Sequence, residues 1–353
     1  MSLRIGYWVD DVIGKASRLL YALRGAEHDT VGDLGPYLDR EPHELFPAPT
    51  RVPIARRKRS LAGILRAVED VSFSSEHVPL CPNYTKRHEK EYAVNQTVHL
   101  RWIHPLEKPR KSLLIYVHGW LEPGPWVEEA ALFPSLYKEV GVDVAHLQLP
   151  FHGKRKPKGS LFHGEWFWSA DLVRTMEAVR QSVIDLRSAI LWFRGQGYEQ
   201  IGVSGISLGG SITMVSACLE PTPDYIVPII AHLDVADAVE NAPILWRMKS
   251  DLERFGYDEQ QRRALMDRTG LPKLMPILAR ERQLWVAARD DMYISAKGVE
   301  RQWERWNRPP ILWIGGGHMT FPVALKRIVA RIAEFRKTLP GPRASARPPP
   351  VKA

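Results

Sequence analysis

The segment Gly205-Ile206-Ser207-Leu208-Gly209 places a serine between glycines two residues to either side. It lies where the strand-like run Ile201-Gly202-Val203 gives way to a helix-compatible stretch from Leu208 to Leu219. A chain passes from a buried strand into a helix over so few residues only if neighbouring backbones come very close. A side chain at either flanking position would collide there, so Gly205 and Gly209 supply the room. The turn lifts the serine hydroxyl above the sheet edge and aims the next amide, Leu208 N–H, at the same point. This is the pattern of a nucleophile elbow, and Ser207 is its candidate nucleophile. Ser204 and Ser211 lack glycines on both sides at that spacing.

The rhythm of the chain from about residue 91 agrees with such a turn. Tyr92 to Ile103 reads as extended. Ser112–Val117, Val142–Leu149, Tyr225–Leu233, Gln283–Ala288 and Pro310–Ile314 read as short buried strands, separated by helical stretches such as Trp126–Val140 and a long helix within Trp166–Phe193. Strands alternating with helices predict an α/β fold with a mostly parallel, twisted sheet and helices on both faces. Two insertions, about 150–165 and a helical 235–282, interrupt the rhythm. Both follow carboxyl ends of strands, the edge at which open α/β sheets bind ligands. The expected division is an N-terminal helical and irregular extension over 1–90, the α/β domain over 91–338, and a disordered tail over 339–353. Within the extension, Ile5, Trp8, Val9, Val12, Ile13, Ala16, Leu19, Leu20 and Leu23 recur at helical spacing. The opposite face mixes Arg4, Asp10, Asp11, Lys15 and Arg18, which favours packing on the same protein over lying on a membrane.

At 353 residues the chain buries a full core, and no apolar run approaches the ~18 residues needed to span a bilayer. Asp10 and Asp11 break the first apolar stretch, making it a poor secretory signal. Cys81 and Cys218 share no short spacing, so neither a disulfide framework nor a zinc site is expected, and a reduced, cytoplasmic setting fits. The net charge of +9 falls partly on Arg56-Arg57-Lys58-Arg59 and on Lys154-Arg155-Lys156-Pro157-Lys158. No nucleic-acid module accompanies these clusters and no aromatics interleave them, so no nucleic-acid partner is expected. The first cluster reads as a solvated loop. The second reads as a solvated loop or as an attractant for an anionic substrate. His152 and His163 have no carboxylate or cysteine at ligand spacing, so no metal is expected.

A serine hydroxyl needs a neighbouring base, itself oriented by a carboxylate. His318 follows the last strand through Gly315-Gly316-Gly317 and is the candidate base. The preceding strand ends at Ala288 and offers Asp290 and Asp291; Asp291 is chosen because the chain returns to apolar Ile294 three positions on. Asp290 stays open as an alternative, as does Asp234 at the end of the strand after the elbow, although a strand-end aspartate is often only a helix cap. The order Ser207, Asp291, His318 is the order such a fold requires. The oxyanion donors would be the amides of Leu208 and of Trp120, in the turn after His118-Gly119. His118 itself fits a role in orienting that turn. Trp246, Met248 and other apolar residues of the second insertion would either line an acyl pocket or pack the insertion onto the body.

Together, the elbow Gly205 to Gly209, the turn His118-Gly119-Trp120, the stretch Pro150-Phe151-His152-Gly153, and the late aspartate and glycine-preceded histidine resemble the α/β-hydrolase superfamily over about residues 90–338. The wording around Pro150 to Lys156 and the N-terminal extension resemble the subgroup of α/β-hydrolase domain-containing protein 18. The resemblance implies a serine nucleophile, an acyl-enzyme intermediate and no cofactor. It leaves the substrate open. The expected activity is hydrolysis of a carboxylic ester, with a lipid ester and a peripheral membrane contact as the narrower expectation. An acyltransferase would use the same residues. A catalytically silent binding protein is the contrasting reading, and it gives no physical need for the whole set.

Overall fold

Strands buried along their whole length cannot lie on a sheet with one wet face, and the middle of this chain is rich in them. The computed structural model describes residues 5–21, 32–38, 40–61, 66–220 and 223–341. Among these, nine strands form one sheet: β1 (Arg56–Leu61), β2 (Arg66–Ser74), β3 (Thr97–Pro105), β4 (Ser112–Val117), β5 (Asp143–Gln148), β6 (Gln200–Ile206), β7 (Tyr225–Ile229), β8 (Trp285–Ala288) and β9 (Ile311–Ile314). Their order is β1-β2-β3-β5-β4-β6-β7-β8-β9. The pairs from β1 to β5 through β2 and β3 are antiparallel, and those from β5 onward are parallel.

Alternation along β4 shows how both faces are covered. Leu113, Ile115 and Val117 enter one hydrophobic core, and Leu114 and Tyr116 enter the other. Four helices matter below: α1 (Ile5–Ala16), α2 (Leu172–Gly195), α3 (Leu208–Ser216) and α4 (Leu325–Thr338). Residues of α2 and α3 line the first core, and those of α4 line the second. This is the mostly parallel α/β sheet with helices on both faces that the alternation predicts. The 235–282 insertion is helical as expected, with helices at Val235–Asn241, Trp246–Arg254 and Glu259–Asp267.

The described residues among the first ninety are more tightly built into this fold than their composition indicates. The basic run Arg56–Arg59 is not a loop but most of β1, the outer strand of the sheet. Charge suits that place, because an edge lined with Arg and Lys resists pairing with another chain. Arg57 Nε also reaches Glu69 Oε2 on β2 at 2.6 Å. The expected disorder of the tail concerns residues that, beyond Gly341, lie outside the described ones.

The periodicity correctly predicts α1, but its apolar residues are not the ones that are buried. Gly6, Asp10 and Gly14 are buried, whereas Ile5, Trp8 and Val12 are 65%, 67% and 42% exposed. The pattern marks two stripes on a helix. Which stripe meets protein is decided by the surface opposite, here glycine backbone and free amides rather than an apolar wall.

α2 is buried on its polar side as well as its apolar one. Tyr37, Leu45, Phe46 and residues of the stretch 75–95 cover that polar side. Glu177 takes a hydrogen bond from Tyr37 Oη at 2.5 Å, lies 2.7 Å from His77 Nε2, and accepts the Leu80 amide at 2.7 Å. Burial alone would raise its pKa, but the bond to His77 and the charge of Arg180 outweigh this and hold it at about 2.

A carboxyl depressed in the folded state contributes stability above its unfolded pKa, near 4.5, and loses it as the pH falls toward 2. Glu177→Gln should therefore cost about 3 kcal/mol at pH 7, as for a broken buried pair. Below pH 4.5 that difference should shrink by about 1.4 kcal/mol per pH unit. Urea unfolding of both proteins at pH 7 and pH 3.5 measures it, and a difference that does not change with pH contradicts the account.

Candidate active site

The ends of the parallel strands meet at one edge of the sheet. At the end of β6, Ser207 has φ 54° and ψ −116°, a left-handed backbone that costs a non-glycine residue about 1–3 kcal/mol. Neighbours hold it there: its amide donates to Ile229 O at 2.9 Å, and its carbonyl accepts the Ser211 amide at 3.0 Å. The flanking glycines have no room to spare. A Cβ on Gly209 would sit 2.1 Å from Val117 O and 2.4 Å from His118 O, and one on Gly205 would sit 2.3 Å from Gly209 O.

His318 stands in the loop after β9. Its Nε2 is 2.9 Å from Ser207 Oγ, and its Nδ1 is 2.8 Å from Asp291 Oδ2. Asp291, in the loop after β8, is buried, and its other oxygen accepts the amides of Tyr293 at 2.8 Å and Ile294 at 2.7 Å. Those two bonds fix which oxygen faces the imidazole. Asp290 is half-buried and is tied by its amide to Gly316 O at 3.0 Å. Asp234 caps the helix Val235–Asn241, accepting the Asp237 amide at 2.8 Å. Of the three aspartates, Asp291 is the one hydrogen-bonded to His318.

The turn at Gly119 lies against the elbow: a Cβ on Gly119 would be 3.9 Å from that of Ser207. His118 secures this turn. Its Nδ1–H donates to Gly119 O at 2.7 Å, and its Nε2 accepts the Leu149 amide at 2.9 Å. Burial pushes its pKa down to about 4, so it is a neutral strut at pH 7. The indole of Trp120 donates to Gly164 O at 2.7 Å, which couples the turn to the first insertion. Leu208 begins α3 directly after the serine.

A cavity opens over Ser207, lined by Trp120, Val179, Ile212, Ile244, Leu245 and Leu271 among others. The second insertion supplies its roof. Trp246 and Met248 are not part of the lining: Met248 is core, and Trp246 packs edge-on against Tyr21 at 5.8 Å. The first insertion also differs from expectation at Arg155, which neither lies in solvent nor faces the cavity. It is fully buried, bonded to Asp185 Oδ2 at 2.8 Å, Asn95 O at 2.6 Å and Gln148 O at 3.0 Å. His152 is likewise interior, with Nδ1 on Pro150 O at 2.8 Å, and burial holds its pKa well below the usual range. One residue at this edge has no counterpart in the sequence reading of the site. The carboxylate of Asp10, from α1, accepts backbone amides of both the β8 and the β9 loops. The spacing Gly6, Asp10, Gly14, one small or acidic residue per turn, was the available sign of a closely packed stripe.

Residues 92–240 match the family described as alpha/beta hydrolase domain containing 18. The chain is 30% identical over 267 residues to the uncharacterized proteins Rv2627c and MT2702 of Mycobacterium tuberculosis. That match covers 69% of this chain and 61% of each relative, so the chain spans about three fifths of the curated relatives' length. Among solved structures it is similar to an acetyl xylan esterase from Paenibacillus sp. R4, with TM-score 0.57 and 12% identity over 92% of this chain and 93% of that one. It is also similar to acetyl xylan esterase 1 from Thermoanaerobacterium sp., with TM-score 0.55 and 15% identity over 90% and 98%. At such identities the likeness is one of fold.

The elbow's lack of space gives a direct test. Gly209→Ala must push a methyl into two carbonyl oxygens that belong to β4 and its turn, so it should cost at least the ~1–3 kcal/mol of an overpacked core. Gly315→Ala, whose Cβ meets nothing within 4 Å, should stay within about 0.5 kcal/mol of the parent. Thermal melts compare the two, and equal midpoints would refute the close approach.

Proposed function

We propose that the chain, whose residues 92–240 match the family described as alpha/beta hydrolase domain containing 18, is a serine esterase of that kind using Ser207, His318 and Asp291. The observation that carries this reading is the continuous hydrogen-bonded path from Ser207 Oγ through His318 to Asp291, with both contacts under 3 Å. His318 Nε2 takes the hydroxyl proton as Ser207 Oγ attacks the acyl carbon. Asp291 holds the ring in the tautomer with hydrogen on Nδ1 and stabilises the imidazolium that forms. The carbonyl oxygen, now an oxyanion, is received by the amides of Leu208 and Trp120, each worth about 3–4 kcal/mol in the transition state. His318 then protonates the departing alkoxide, leaving an acyl-enzyme. A water, deprotonated by the same histidine, attacks the acyl carbon and releases the acid and Ser207.

The substrate class follows from the cavity. Its apolar lining from α2, α3 and the second insertion suits an acyl chain, so a lipid ester is the proposed substrate. A peripheral lipid contact belongs to the same reading. Ile5, Trp8 and Val12 project from α1 with Lys15 beside them, and Met319, next to His318, is 41% exposed. Such a face suits insertion at an interface. Among the described residues no helix is long and apolar enough to cross a membrane. Both cysteines are free and buried, which supports a cytoplasmic setting.

A fluorophosphonate probe should label the folded protein, and Ser207→Ala should abolish the labelling; equal labelling of the two would remove the assignment. Asp291→Asn should lower kcat by roughly 10³–10⁴-fold on an activated ester, as expected when a triad histidine is left in the wrong tautomer. Near-parental activity would shift the acid to another carboxylate. For the membrane contact, sedimentation with phosphatidylcholine vesicles containing one quarter phosphatidylglycerol should carry down the parent and lose the variant with Trp8→Ser and Val12→Ser. Binding that does not respond to these changes would locate the contact elsewhere.

A further inference from the structure

Asp10 lies far from the proposed triad in sequence, yet it is fully buried beside two of its members. Its Oδ2 accepts the amide of His318 at 2.7 Å and that of Met292 at 3.1 Å, and its Oδ1 accepts the amide of Met319 at 2.8 Å. The carbonyl of Asp10 accepts the Tyr293 hydroxyl at 2.8 Å. One residue of α1 thus joins the loop after β8, at the positions following Asp291, to the loop after β9, at His318 itself. Burial and the nearby charge of Asp291 raise the pKa of Asp10, and the three amide bonds, all accepted by the carboxylate, oppose that rise.

The seat of α1 is shaped to deliver this group. A Cβ on Gly6 would lie 2.1 Å from Gly317 N, and one on Gly317 would lie 2.5 Å from Asp10 Oδ2. On the next turn, a Cβ on Gly14 would lie 2.6 Å from Pro243 Cβ and 3.2 Å from Tyr293 Oη. The glycine stripe lets the helix backbone rest on the glycine loop, and Asp10 reaches amides that would otherwise be buried without partners. No side chain of α1 enters either hydrophobic core. What the inner face of the helix contributes is therefore close backbone contact and the polar joint.

We propose that Asp10 is a positioning residue for the Asp291–His318 pair, an inference that rests on the proposed serine esterase mechanism. Asp291 and His318 come from separate loops, one of them opened by three consecutive glycines, and a hydrogen bond of 2.8 Å between them requires the loops to keep a fixed spacing. Asp10 sets that spacing by binding both backbones with one rigid group. A displacement of about 1 Å at such a pair is enough to cost on the order of 10²-fold in rate.

The test uses the full chain with Asp10→Asn, which turns an acceptor into a donor facing amide donors, and Asp10→Ser, which removes the bridge without that conflict. Because α1 contributes nothing to the cores, both variants should fold, as thermal melts will verify. The expected result on a short-chain p-nitrophenyl ester is a 10- to 100-fold fall in kcat with KM within twofold. The second readout needs no turnover. The downfield proton on His318 Nδ1, identified by its loss in Asp291→Asn, should broaden or disappear in both Asp10 variants. Unchanged kcat and an unchanged proton signal in a folded variant would overturn the proposal. If the parent hydrolyses no ester, the esterase reading fails, and the proton signal alone decides whether Asp10 positions the pair.

Discussion

The fold depends on a place where backbone touches backbone. At the elbow the first turn of α3 lies so close to the end of β4 that the carbonyls of Val117 and His118 occupy the space of a Gly209 side chain. Gly210 faces the same restriction from Ala231 and from Ile229 O, on the other side. α3 is thus wedged between the ends of β4 and β7, and Ser207 is fixed relative to both. The left-handed backbone at Ser207 is tolerable only because these contacts and the bond to Ile229 leave it no alternative. The proposed nucleophile needs such a setting, since a side chain free to turn would spend little time within reach of His318.

Around that point, polar burial does what apolar packing cannot. α2 presents Glu177, Arg180, Gln181 and Asp185 to the interior, where unpaired charges would be prohibitive. Each finds partners far away in sequence: Glu177 in His77 and the Leu80 amide, Asp185 in Arg155 and Ser75. Hydrophobic contact would allow the segment over α2 to slide. Directional bonds with few acceptors do not. Arg155 extends the same logic to the first insertion, tying it to α2 and to Asn95, so that Gly164 is in place to accept from Trp120.

What the sequence disclosed follows from range. The elbow is a local demand, readable because two glycines at fixed offsets have few other reasons to be there. Asp291 and His318 are candidates because they follow strand ends, and a parallel sheet brings those ends to one edge whatever lies between; the structure puts them 2.8 Å apart. The basic run of β1 looks like a loop by itself because its strand character depends on pairing with β2, whose alternation in Arg66–Ser74 lies beyond it in the chain. The burial of Arg155 is not legible locally, because a charge is buried or solvated according to a partner thirty residues away. Asp10 falls on the helix face opposite the apolar stripe, and nothing near it in the chain announces the amides it meets.

α1 carries that lesson furthest. An amphipathic pattern states that a helix has two environments, without saying which of them is protein. Ordinarily the apolar stripe turns inward because burying it contributes about 25 cal/mol per Å². Here the surface offered is a glycine loop with amides pointing outward, and an apolar side chain set there would both clash and leave those donors unsatisfied. An unmade buried hydrogen bond costs about 1–3 kcal/mol, and Asp10 satisfies several at once. The polar joint outweighs the apolar stripe, so Trp8 and its neighbours face outward because Asp10 faces inward. The exposed apolar face and the inward carboxylate are therefore one feature of the helix, and no substitution that returned Trp8 to the interior could keep the amides of His318 and Met319 bonded.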